Sequence, residues 1–286
     1  MEAQKKQLDE KQFNALITLL DDEDPEVSEH VWTRLSAMGQ EGLDRLEAAW
    51  EVQEDPAMQA RLEDAIAKLH LKEVGRELLD WRKGGGKDLL RGWYLVSRYQ
   101  FPELEYQKYR NEVNRLVNKT WLELNGRMDA NQKLRVVNHI LFKMEGYGPN
   151  SSRPKFPNNS YLNYLIDQQE GNVMSLALLY LLICRQLDLP VYGVLLPGYF
   201  ILMYKDERQE FFIDVYNGGK TFNKARLKGY LKQVNVEENA SFFKPTSNIY
   251  IILRLLEQLA VDYDRNDKPE KAQEIAEILR DIEITF

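Results

Sequence analysis

The chain has 286 residues, a formal net charge of −7 and a pI near 5.3. That is ample length for a buried core, with no overall field that favours nucleic acid. It is 44% hydrophobic and 29% charged, as ordinary soluble globular proteins are, and its one cysteine excludes internal disulfides and any Cys-rich metal site.

The start, MEAQKKQLDEKQ, is charged and lacks an apolar signal core. The longest apolar run, Leu176–Cys184, is too short to cross a bilayer. The expectation is a cytoplasmic protein without membrane or nucleic-acid partners. The small basic cluster from Arg82 and Lys83 through Lys87 to Arg91 reads as a solvated linker.

Residues 12–80 read as helices in antiparallel pairs. Phe13, Leu16, Ile17 and Leu20 recur at helical spacing, then Val27, Val31 and Leu35, then Leu43, Leu46 and Trp50, then Leu62, Ile66 and Leu69. Asp24-Pro25 and Asp55-Pro56, 31 residues apart, each place a capping carboxylate before a proline suited to the first helical position. The stretch LLDDEDPEVSEHVWTRLSAMG (19–39) resembles a HEAT-like repeat, although any capped helical bundle shows similar hairpins. Gly84-Gly85-Gly86 reads as a hinge, which sets a domain break at 83–87 and a helical segment over 1–83. No Gly-Lys-Ser/Thr ending follows the triplet, so it is no Walker-type phosphate loop.

From Asp88 to Phe142 the helical period returns, with aromatic residues filling core volume. The loop Gly146–Asn159 crosses the surface, and Asn159-Ser160 is placed to cap a helix over 161–169. The segment Met174–Leu187 is apolar around nearly its whole circumference and must be buried on all sides, the hub of a domain. Val191–Leu196, Phe200–Tyr204 and Phe211–Tyr216 have strand composition, with Lys205–Glu210 as a charged hairpin connection. From Asn248 the helical spacing resumes in two limbs separated by Asn266-Asp267-Lys268-Pro269, a hairpin resembling one tetratricopeptide-type unit.

The segments VNHILFKMEGYGPN (137–150), NNSYLNYLIDQQEGNVMSLALLYLLICRQLDLPVYGVLLPGYF (158–200) and FIDVYNGG (212–219) resemble the SirB-type branch of the transglutaminase-like superfamily. That branch also occurs within an F-box protein. The resemblance spans about 88 to 279 with the helical flanks, and its motifs occur in order at compatible spacing. It implies a papain-like core in which a cysteine nucleophile starts the central helix, while a histidine and an aspartate lie on adjacent strands. A thiolate near a helix N-terminus has a lowered pKa, the imidazole moves the proton, and the carboxylate orients the imidazole.

By that resemblance the nucleophile position falls at Val173, with Ser175 close by, the histidine position at Tyr199 and the aspartate position at Asp214. Cys184 lies some three turns along the buried helix, where an apolar setting leaves a thiol inert. His30, His70 and His139 do not fall within ligand spacing of one another, so no metal site is expected. If the hairpin closes symmetrically about Asp206-Glu207, Tyr199 stands opposite Asp214, with Cβ atoms about 5 Å apart. Such a pair is either a buried phenol–carboxylate bond locking the strand mouth or part of a cryptic site with Ser175, itself otherwise a helix-start capping residue. The resemblance also implies that Asn159 and Asn217 border the same cleft.

The expected architecture is α+β and mostly helical: HEAT-like helices at 1–83, a transglutaminase-like core with a small antiparallel sheet at 88–247, and a helical hairpin at 248–286 packed on it. The expected function is non-catalytic binding of a protein or peptide through the cleft at Asn159, Ser175, Tyr199, Asp214 and Asn217, without cofactor or metal. The alternative is a hydrolase or acyl-transfer enzyme using Ser175 with Tyr199 and Asp214. The sequence does not fix the oligomeric state.

Overall fold

The computed structural model describes residues 9–20 and 24–283, so residues 21–23 of the stretch read above as a HEAT-like repeat lie outside the described residues. The chain divides into two compact units, Met1–Glu77 and Leu78–Phe286.

In the first unit α1 (Glu10–Thr18), α2 (Pro25–Met38), α3 (Gln40–Glu51) and the start of α4 (Pro56–Lys83) enclose a core around Phe13, Ile17, Leu35, Leu46, Leu62 and Leu69. Both Asp-Pro starts cap as their spacing suggests. Asp24 accepts from the Glu26 amide at 2.9 Å with Pro25 in the first turn, and Asp55 accepts from the Ala57 amide at 3.2 Å. Gly39, at φ +61°, ends α2 and starts α3 in one residue, a conformation that glycine adopts without Cβ strain.

The units part within α4, at 77/78, rather than at the glycine triplet. Gly84–Gly86 is a packed C-cap. Gly85 and Gly86 have φ of +87° and +59°, and the Gly86 amide donates to the Trp81 carbonyl at 3.0 Å. A Cβ on Gly86 would collide with Ile249, and the Asn248 amide group donates to the Gly86 and Lys87 carbonyls, each at 2.9 Å. The triplet is glycine for closeness as well as for turning.

The second unit is built on α9 (Val173–Gln186), whose residues Met174 through Cys184 are all buried. Packed against it are α5 (Leu89–Arg98), α6 (Tyr106–Glu123), α8 (Leu162–Gln168) and two strands, β3 (Val191–Leu196) and β4 (Tyr199–Lys205). The sheet continues antiparallel through β5 (Glu210–Asp214) and β6 (Lys220–Phe222), in the order β3-β4-β5-β6. Its residues Val194, Leu196, Ile201, Met203 and Phe212 form one face under Leu227 and Leu231 of α10 (Lys224–Gln233). The opposite face is buried too, through Phe200, Leu202 and Ile213. Burial on both faces explains why these strands read as nearly continuous apolar runs. The helices α11 (Asn248–Asp264) and α12 (Pro269–Glu283) form the expected C-terminal hairpin, part of the same compact unit.

Four of these elements went unread in the sequence: β6, α10 and the two-residue strands β1 (Gly148–Pro149) and β2 (Glu170–Gly171), which pair in parallel. The last anticipated strand ends at Asp214 rather than Tyr216, because Gly218 and Gly219 donate to the Val215 and Asp214 carbonyls and fold the chain back toward β6. α7 (Ala130–Asn138) runs directly into a π-helical turn, His139–Met144.

Candidate functional site

The N-terminus of α9 opens into a cleft of ≈ 170 Å³ with Val173, Asn172 and Tyr199 in its wall. Asn172 is the N-cap. Its carboxamide oxygen accepts from the Ser175 amide at 2.9 Å, and the Ser175 hydroxyl accepts in return from the Asn172 amide at 3.0 Å. The same hydroxyl donates to the Asn172 carbonyl at 3.2 Å, and Ser175 is 0% exposed. Ser175 therefore serves as the reciprocal partner of the cap, its oxygen turned into the helix end and fully engaged. A Cβ on Gly171 would collide with that oxygen, so the chain passes directly over it.

Asn159 and Ser160 do not cap α8 as expected, because their side chains turn inward. Asn159 accepts from the Asn150 amide group at 3.0 Å and donates to the Arg153 carbonyl at 2.7 Å. Ser160 Oγ accepts from the Asn172 side chain at 2.8 Å. The cap of α8 comes instead from another helix, where Ser97 Oγ of α5 accepts from the Leu162 amide at 2.9 Å. A chain of buried polar side chains thus ties the 150–153 loop to the start of α9, and every member is satisfied, as burial demands.

Tyr199 and Asp214 are not cross-strand partners. The register pairs Leu202 with Ile213 and Lys205 with Glu210, so one step further places Ile201 opposite Asp214. The hairpin turn is Asp206–Gln209, in which Asp206 accepts from the Arg208 and Gln209 amides at 2.8 and 2.9 Å. The centre of the hairpin therefore lies one residue later than the symmetric closure assumed, which moves the register by two and leaves each side chain on its expected face. The Asp214 carboxylate instead accepts from Asn217, from its backbone amide at 3.2 Å and its side-chain amide at 2.7 Å. Asp214 still influences Tyr199. The phenol is pushed up to about 12, first by burial and then by the Asp214 carboxylate, so it stays protonated at neutral pH and is no general base.

Tyr199 stands between the α9 cleft and a second pocket, where Asp214 lies beside Tyr230 and Arg226 of α10. Val173 and Tyr199 thus line the α9 cleft, Ser175 is buried in the first turn of α9, and Asp214, bonded to Asn217, lines the second pocket. Cys184 is fully buried far along α9, and burial alone raises its thiol pKa strongly. Among the described residues no cluster of three His, Cys, Asp or Glu is placed to hold a metal ion. No described helix is long and apolar enough to cross a membrane.

Two features of the site escaped the sequence reading. The far wall of the cleft is a polar stripe on α11, Arg254, Gln258 and Asp262, with Arg265 after it and Lys155 from the loop that follows β1. Gln258 donates to Asp262 at 3.0 Å, and burial raises the Asp262 carboxyl pKa. Polar residues at i, i+4 and i+8 within an apolar helix were the available signal. The second is Asn138, which accepts from the Tyr180 hydroxyl of α9 and donates to the Gly219 carbonyl, both at 2.9 Å. It braces the central helix to the turn that carries Asp214 and Asn217. Gly219 has φ +74°, and a Cβ there would collide with Asn138.

A polar helix mouth facing a strand pair, on a fully buried central helix, agrees with what the comparisons find. The profile of the transglutaminase-like superfamily matches residues 107–257, more than half of the chain, and the protein belongs to that superfamily. Within it the likeness is to the SirB-type branch. Protein SirB1 of Salmonella typhimurium (strain LT2) is 24% identical over 196 residues, 67% of this chain and 72% of its own length. A UPF0162 protein of Xylella fastidiosa (strain Temecula1) is 27% identical over 189 residues, 64% of this chain and 67% of its own length. No solved structure matches.

Proposed function

We propose that this is a non-catalytic transglutaminase-like protein that binds a peptide segment of a partner in the cleft at the N-terminus of α9. One observation carries the reading. The helix mouth is open, yet it offers Val173 where the family places its nucleophile, beside a serine whose oxygen is already bonded on both sides to Asn172. A serine nucleophile needs a base at hydrogen-bond reach. Among the described residues Ser175 has only Asn172, and Tyr199, in the cleft wall, holds its own proton. The scaffold retains a cleft that can recognise a chain and lacks the groups that would act on one. The capped helices of residues 1–77 belong to the same reading as a HEAT-like, partner-facing segment, in a protein working in the cytoplasm.

A random peptide library displayed on phage and selected on the full chain tests this. The selected peptides should lose at least about tenfold in affinity to Val173→Trp, which fills the mouth of the cleft, with the melting temperature unchanged. Peptides indifferent to Val173→Trp would contradict the reading.

A further inference from the structure

The second pocket, on the far side of Tyr199, is not one the family assignment explains. It is ≈ 300 Å³, at the small end of ligand pockets, and its floor is Leu196, Ile201, Phe222 and Leu227. Its rim is Arg226 and the exposed Tyr230 of α10. An apolar floor of this size suits one aromatic or branched side chain rather than a cofactor.

The charge around it is unlike the rest of the molecule. In a chain of net charge −7, residues 220–236 contain Lys220, Lys224, Arg226, Lys228 and Lys232 and not one carboxylate. Lys228 is spent on Glu238 at 2.5 Å, and Lys224 lies over the Phe243 ring at 4.4 Å. Lys220, Arg226 and Lys232 are exposed and have no ion pair among the described residues. Across Tyr199 the α9 cleft adds Lys155, Arg254 and Arg265. Arg254 is already paired with Glu257 at 2.8 Å, and Lys155 and Arg265, without an ion pair among the described residues, share the wall with the Asp262 carboxylate and partly offset it.

We propose that the α10 pocket anchors a bulky apolar side chain of an acidic peptide, with flanking Asp or Glu side chains met by Arg226 and by the cations of the α9 cleft. This rests on the peptide-binding reading and gives it a chemistry. Complementary charge at the rim steers encounter and rejects wrong partners, while the desolvated anchor supplies most of the affinity. Asp214 in the lining is engaged by Asn217, and single-stranded nucleic acid fits less well because the floor is apolar and sized for one side chain rather than for a row of bases. The Tyr199 and Tyr230 rings are also tilted by 48° to each other and present no parallel stacking platform.

The same phage selection, read out by fluorescence anisotropy of the enriched peptides, tests the assignment. Enriched sequences should carry Asp or Glu on both sides of a Phe, Trp, Leu or Ile. Their affinity should fall by on the order of tenfold in Arg226→Glu, an exposed position whose variant should melt as the wild type does, and fall again as salt rises. Enrichment of neutral or basic peptides, or of acidic peptides that ignore Arg226→Glu yet fail on Val173→Trp, overturns this proposal and leaves the cleft reading standing. No enrichment at all ends both. A fluorescein-labelled single-stranded RNA that displaces the peptides in an Arg226-dependent way, at lower concentration than they bind, would overturn it in favour of nucleic acid.

Discussion

At the scale of single residues, the site is held by polar side chains whose hydrogen bonds are made inside the protein. Asn138 is the clearest case, because removing it strands the buried hydroxyl of Tyr180 as well as the Gly219 carbonyl. Leaving buried polar groups unpaired costs more than the bonds contribute when intact. Asn138→Ala should therefore lose roughly 2–4 kcal/mol in chemical denaturation. A loss under about 1 kcal/mol would show that the brace is dispensable. The sequence exposed Asn138 only as part of a family motif and gave no hint of its partners, which lie 42 and 81 positions away. Asn159 was visible for the opposite reason: Asn-Ser before an apolar run looks like a cap, and the local rule was overridden by a tertiary bond network.

At the scale of elements, what could be read depended on length and period. The long helices and the three apolar strands announce themselves, whereas β1 and β2, two residues each, carry no period at all. The β4–β5 register turned on one residue in the placement of a turn, and turn geometry is a matter of hydrogen bonds from Asp206 that composition does not display. One junction between elements has a pH signature. Glu145, just after the π-helical turn, receives Arg115 at 2.5 Å and Lys119 at 2.6 Å, both from α6. Chiefly through Arg115, its carboxyl pKa is lowered from 4.5 to about 2. A depressed carboxylate pKa means the unfolded chain takes up the proton first as pH falls. The stabilisation is therefore complete above about pH 5 and is lost as pH falls toward 2. Urea midpoints at pH 6 and pH 2.5 should drop further for wild type than for Glu145→Gln. Equal drops would remove Glu145 from the acid response.

At the scale of the whole molecule, composition and the apolar central helix sufficed for an α+β protein with a buried hub, and motif order sufficed for the superfamily. Three glycines look like a hinge from sequence, whereas in the structure they are a close-packed cap against Ile249, and the compact units part earlier, within α4. Residues 78–286, which keep that cap, should accordingly fold alone with a single cooperative melt. Aggregation of that fragment under conditions where the full chain is monodisperse would argue for one indivisible core. The larger claim is that the fold has kept the cleft of its superfamily without a nucleophile at the helix mouth. Intact-protein mass spectrometry after exposure to a fluorophosphonate probe and, separately, to an activated acyl ester addresses it most directly. The account predicts no adduct at Ser175. An adduct mapped to Ser175, lost in Ser175→Ala and slowed in Tyr199→Phe, would contradict it and make the protein an enzyme.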